Sequence, residues 1–131
     1  MLSSDNGGPW SSSRVGVWNN IIRTNGSPGY WLDIYRPRLV EFESDRNVFW
    51  SSGDSVGYFV LDFNPMRIDA WRSATGQDRT SYLADPLFVS DPTNDDYFTQ
   101  NQSIARDRAL VFSGARFCGL GPDIGFRESG C

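Results

Sequence analysis

The sequence predicts an all-β domain, organised as coils of a β-solenoid, with one short α-helix near residues 67–75. Three observations carry this reading. Short apolar runs alternate with clusters of Gly, Pro, Asn, Asp and Ser along most of the chain, the pattern of brief strands separated by turns. The pair Asn47-Val48-Phe49 echoes Asn20-Ile21-Ile22 at a spacing of 27 residues (47 − 20), which suits one turn of a solenoid better than a hairpin. The stretch from Ile68 to Val89 then reads as a helix stopped by Gly76, a polar turn, and a strand that begins beside Pro86.

Taken in order, residues 1–14 form a Gly/Ser-rich arm with Trp10 as its one large apolar anchor, and residues 15–131 form a single domain. Residues 15–23 read as strand, ended by the turn Asn25-Gly26-Ser27-Pro28-Gly29. Residues 30–35 and 39–42 are short strands broken at Pro37. After the turn Ser51-Ser52-Gly53-Asp54, residues 56–63 alternate Tyr58, Val60 and Asp62 against Phe59, Leu61 and Phe63. The helix places Ile68, Trp71 and Arg72 at i, i+3 and i+4, with Asp69 in its first turn. Beyond it come a strand over 86–89 that opens at Pro86, the turn Asp91-Pro92-Thr93-Asn94-Asp95-Asp96, and short extended pieces at 97–99 and 109–112.

Composition limits the function classes. The net charge is −4, no run of basic residues exists, and all 12 cationic residues are arginine, so nucleic acid is a poor partner. A guanidinium can still fork two hydrogen bonds onto a carboxylate such as that of a uronic acid, with ordinary ion pairing as the alternative role. Histidine is absent, which excludes Ser-His and Cys-His catalysis and His-based zinc sites. Cys118 and Cys131 lie thirteen positions apart (131 − 118), and a disulfide between them would restrain the C-terminal tail by about 3 kcal/mol, while free thiols are the alternative. No apolar segment approaches the ~20 residues of a membrane span. Met1-Leu2-Ser3-Ser4-Asp5 lacks the features of a signal peptide, which leaves localisation open.

From Asn19 onward the chain resembles the C-terminal region of right-handed parallel β-helix proteins, the pectate-lyase-like group that acts mostly on polysaccharides. The resemblance rests on Asn20, on Ser44-Asp45-Arg46-Asn47, on the helix at 69–75, on Asp85-Pro86-Leu87-Phe88-Val89 followed by Asp91, and on Asp123-Ile124-Gly125. It departs at Ser103-Ile104-Ala105-Arg106-Asp107, where the group usually carries a proline and an apolar residue. The resemblance implies terminal coils of a right-handed parallel β-helix, internal asparagines bonded to backbone amides, and a secreted protein. It also implies that the coils building the group's substrate groove are missing. The exposed N-terminal coil edge would then be covered by the arm around Trp10 or by a second copy of the chain.

Catalytic candidates are few. Glycoside hydrolysis needs two carboxyl groups at roughly 5–5.5 Å or 6.5–9.5 Å. Asp62, Asp69, Asp85, Asp91, Asp95 and Asp96 are available, but most sit where turns or a helix start already explain them. A lyase of the resembling group would use lysine or arginine as base, which leaves Arg36, Arg38 or Arg46, and an arginine serves as base only in an exceptional setting. Calcium at Asp91, Asp95 and Asp96 competes with the reading of a solvated turn, and no other cofactor is expected. The expected function is a non-catalytic structural or carbohydrate-contacting module related to polysaccharide-active proteins, with acidic polysaccharide as partner. Tyr30, Trp31, Tyr35, Arg36 and Arg38 are the expected sugar-contacting residues, as rings to stack on a pyranose with arginines beside them. A degenerate lyase or hydrolase, and a self-associating β-solenoid, are the rival readings.

Overall fold

The computed structural model describes residues 14–25, 28–52, 57–90 and 97–129. In chain order these form β1 (Val15–Trp18), β2 (Ile21–Thr24), β3 (Gly29–Ile34), a 3-10 helix (Arg36–Glu41), β4 (Phe42–Asp45), β5 (Val48–Ser51), β6 (Gly57–Leu61), β7 (Asn64–Met66), α1 (Ile68–Thr75) and β8 (Tyr82–Leu83). They build three small sheets, ordered β1-β4, β2-β5-β8 and β3-β6-β7.

β1 to β3 make one layer and β4 to β6 a second, paired in parallel. Val15 faces Phe42 and Ile21 faces Val48, both at the 27-residue offset set by the two asparagines. The chain turns the corner between strands at Asn19 and Arg46, both left-handed with φ of 60° and 55°. Each corner delivers the following asparagine toward the neighbouring layer. Asn20 donates its backbone N–H to Asn47 Oδ1 at 2.9 Å, and Asn47 donates its own to Ser81 Oγ at 2.9 Å. Asn47 Nδ2 reaches Val17 O at 2.8 Å, so one buried amide ties β1, β2 and the segment after α1.

That segment is fixed by Asp78, fully buried and left-handed at φ 54°. Its Oδ1 accepts from Ser44 Oγ at 2.8 Å, Ser81 Oγ at 2.7 Å and Asn47 Nδ2 at 3.3 Å, and its Oδ2 accepts from Trp71 Nε1 at 2.9 Å. The apolar core lies between the sheets and α1, and contains Trp31, Phe42, Phe49, Phe59, Leu61, Ile68 and Trp71. Phe59 stacks on Trp71 at 5.1 Å, and Phe49 and Trp31 meet Phe59 edge-on. The helix begins at Ile68 and stops at Gly76, whose φ of 72° lets its N–H reach Arg72 O at 2.9 Å.

The expected terminal coils of a right-handed parallel β-helix are not what forms. A solenoid requires each turn to add a parallel strand to every sheet. Here β1-β4 stops at two strands, and β6-β7 is antiparallel. Only β5 receives a third parallel strand, the two-residue β8. The antiparallel turn is made at Asp62 and Phe63, both at positive φ, and it sends the chain back along β6 into α1.

Strand expectations fail in four further places. Residues 36–41 form a 3-10 helix with Pro37 in its first turn, so Leu39 to Glu41 never extend. The strand expected over 86–89 does not form, since β8 ends at Leu83 and Leu87 takes φ 51°. After it only the isolated antiparallel bridge Phe88–Thr99 remains. The extended piece expected at 109–112, and the strand that the resemblance implies at Asp123-Ile124-Gly125, are irregular, held by hydrogen bonds to aspartate carboxylates and to Asn19. Asp107 Oδ1 accepts from Leu120 N at 2.8 Å, and Asn19 exchanges bonds with the Leu110 backbone at 2.7 and 2.9 Å. Cys118 is disulfide-bonded, while Cys131, the only other cysteine, lies outside the described residues.

Two stability predictions follow from this packing. Asn47→Ala strands the Asn20 N–H and the Val17 carbonyl without partners, and is expected to cost about 3 kcal/mol in chemical denaturation. Gly57→Ala is expected to cost about 1–3 kcal/mol, because a Cβ there would stand 2.0 Å from the Trp31 ring. Equilibrium urea unfolding monitored by tryptophan fluorescence measures both.

Candidate functional site

The five residues expected to contact sugar do not form one site. Trp31 lies in the core, 9% exposed, with its Nε1 donating to Trp50 O at 3.2 Å and its ring flat over Gly57. It is a packing residue. Strand alternation explains the misassignment, since Tyr30 and Trp31 are adjacent and must point to opposite faces.

Tyr30 is about half exposed and meets Tyr58 at 6.5 Å on the outer face of β3 and β6, where Arg67 sits 5.8 Å over the Tyr58 ring. Tyr35 is exposed at the start of the 3-10 helix, five residues along, about 16 Å away for extended chain. Arg36 is committed to Asp62, with Nε to Oδ2 at 2.9 Å and backbone N–H to Oδ1 at 2.7 Å. Arg38 pairs with Glu41 at 3.5 Å. Both guanidiniums therefore already hold carboxylates of this chain. Of the calcium candidates, Asp91, Asp95 and Asp96 lie outside the described residues, and the described residues contain no cluster of three metal-ligating side chains.

The concavity of this structure lies elsewhere, along the outer face of the β2-β5-β8 sheet. Two lobes of about 490 and 740 Å³ share Arg23 and Phe88 in their walls. Register brings Arg23 of β2 beside Trp50 of β5. One wall is the segment 85–90, stiffened by bonds from Val89 N to Phe98 O, Gln100 N to Leu87 O and Ser103 Oγ to Pro86 O at 2.6–2.8 Å. The other is the chain near Gly125 and Phe126, hung on the corner before β2 by a 2.9 Å bond from Gly125 N to Asn19 O. Tyr97 bridges the walls, edge-on to Phe88 at 6.2 Å and to Phe126 at 6.4 Å. Arg127 lies over both Phe98 and Phe126, at 5.4 and 5.1 Å.

Arg23 is exposed in this cleft and has no carboxylate or carbonyl partner among the described residues. Asp85 lines the same cleft and spends Oδ1 on Leu87 N at 2.8 Å, with no ion pair to Arg23. Among the described residues the site thus offers an exposed guanidinium without a carboxylate partner, a carboxylate and aromatic faces in one open groove. Sequence reading missed Arg23, although the 27-residue echo that aligns Asn20 with Asn47 also aligns Arg23 with Trp50.

The Arg36 backbone bond, with the guanidinium beside it, holds the Asp62 carboxyl below its ordinary 3.8. A carboxyl lowered in the folded state contributes fully above its unfolded value and loses that contribution as pH falls through the folded one. The 3-10 helix is therefore expected to loosen only below pH 3.8. An NMR titration of the Arg36 amide should inflect there, and Asp62→Asn should flatten it. Comparison of the chain with protein-family models, with curated proteins and with solved structures finds no match in any of the three.

Proposed function

We propose that this chain is a non-catalytic carbohydrate-contacting module, related to polysaccharide-active proteins, whose groove at Arg23 meets an acidic polysaccharide. The observation that carries the reading is the exposed Arg23 guanidinium, without a carboxylate partner among the described residues, set among Trp50, Phe88 and Tyr97. A uronate offers the matching chemistry. Its carboxylate can take a forked pair of hydrogen bonds from arginine, its apolar ring face can rest on an aromatic ring, and its hydroxyls can donate to Asp85. Open grooves suit polymers, because a chain can enter and leave along the groove.

Catalysis would need a second carboxyl group at a fixed distance across the scissile bond. Among the described lining residues Asp85 is the one carboxylate. The test is calorimetric titration with polygalacturonate and with a neutral glucan. Binding of the uronate polymer, weakened about tenfold by Arg23→Gln, is expected, since a lost charge-assisted bond of about 1.4 kcal/mol is a factor of ten. Equal affinity of both polymers, or an unchanged Arg23→Gln, removes the groove from consideration. New reducing ends or unsaturated-uronate absorbance would instead establish an enzyme.

A further inference from the structure

Residues 100–103 form a tight turn in the C-terminal third of the chain. Gln100 O accepts from Ser103 N at 3.0 Å, which makes Asn101 and Gln102 the two central residues of a β-turn, and both are exposed. The base of the turn is fixed on either side. Gln100 N donates to Leu87 O at 2.8 Å, while the buried Ser103 donates its Oγ to Pro86 O at 2.6 Å and accepts there from Ala105 N at 3.1 Å. The tip is held by Arg106, which stands where the resembling group usually carries an apolar residue. Its guanidinium donates to Asn101 Oδ1, whereas Asn101 Nδ2 makes no hydrogen bond among the described residues.

Asn101-Gln102-Ser103 has the form Asn-x-Ser with x other than proline, the acceptor pattern for an N-linked oligosaccharide. The pattern alone recurs by chance, and three features of the structure give it weight here. Asn101 stands exposed at the tip of a surface turn. Its amide is anchored through Oδ1, so Nδ2, the atom that takes the sugar, is the one left without a partner. Cys118 is disulfide-bonded, and disulfides persist in the oxidising compartments through which secreted chains pass when they are glycosylated.

We propose that Asn101 is an N-glycosylation site. The donor is an oligosaccharide carried on a lipid pyrophosphate. Nδ2 attacks the anomeric carbon of its first sugar, and the new C–N bond forms as the C–O bond to pyrophosphate breaks. The lipid pyrophosphate leaves with the electron pair, the amide proton passes to a base of the transferase, and nothing is oxidised or reduced. Ser103 sets the order of events, because the hydroxyl that completes the pattern is buried against Pro86 O in the folded chain. Transfer therefore precedes the folding of this segment. The finished linkage leaves the turn intact, since the bonds of Arg106, Gln100 and Ser103 make no use of Nδ2.

A second triplet of the same form, Asn25-Gly26-Ser27, includes residues outside the described ones and is removed from the test by Asn25→Gln. The Asn25→Gln chain is produced behind a secretory leader in cultured mammalian cells, and cells and medium together are resolved on a denaturing gel. A slower species is expected that peptide N-glycosidase returns to the unmodified mobility and that Asn101→Gln and Gln102→Pro each abolish. Gln102→Pro keeps both Asn101 and Ser103, so it separates the pattern from the asparagine itself, and denaturing mobility reports the modification whether or not a variant folds. Absence of the slower species, or its persistence in Asn101→Gln, overturns the proposal. Unglycosylated chain that has already folded, offered the transferase and its lipid-linked donor, should stay unmodified, and its modification would overturn the order of events.

Discussion

The buried carboxyl of Asp78 and the amide of Asn47 form the constraint on which the rest of this small fold depends. Together they bind Ser44, Ser81, Trp71, Val17 and Asn20, which belong to β1, β4, α1 and the turns before β2 and β8. Each unpaired buried group would cost about 1–3 kcal/mol, so the network is favourable only when complete. Completeness requires the 27-residue register, because a slip of one residue would turn every core side chain to the opposite face. The left-handed corners at Asn19 and Arg46 satisfy the requirement locally, by rotating the next asparagine inward.

The same register builds the groove. β2 carries Ile22 to the core and Ile21 and Arg23 to the outer face, where Ile21 packs with Val48 and Ile124. The C-terminal third has almost no regular secondary structure, so side chains replace the ladder bonds it lacks. Asp123 accepts from the Asp107 and Ser129 backbones, and Asn19 imitates a strand partner for Leu110. These bonds place Gly125 and Phe126 against β2, which leaves Arg23 at the floor between two aromatic walls.

Much of this was legible where local chemistry decides. The asparagine echo set the register, and Trp71, Asp69 and Gly76 marked the helix and its end. Legibility failed where the outcome depends on distant partners. Arg36 reads as a free ligand beside Tyr35 until the chain reverses at Asp62 and brings a carboxylate to it. Trp31 reads as a surface ring until Gly57, unmarked by any local signal, gives its indole room to lie flat. The β-helix expectation failed for a similar reason. The sequence signs of a layer are local, whereas adding the next layer depends on what α1 and β7 already cover.

One consequence concerns how a single strand can serve two surfaces without conflict. In a β-strand the side chains leave perpendicular to the sheet and the backbone polar groups leave within its plane. β2 therefore presents Arg23 to the groove through its face, while the backbone of Ile21 and Arg23, without a strand partner among the described residues, points along the sheet, roughly at right angles. An aromatic-lined groove reads rings and charges, and an edge reads backbone, so the two surfaces demand different chemistry of whatever meets them. Asn20 stands where they join. It lines the groove while its backbone N–H and Nδ2 both donate to Asn47 Oδ1, so the groove surface and the register of the two layers meet at one residue.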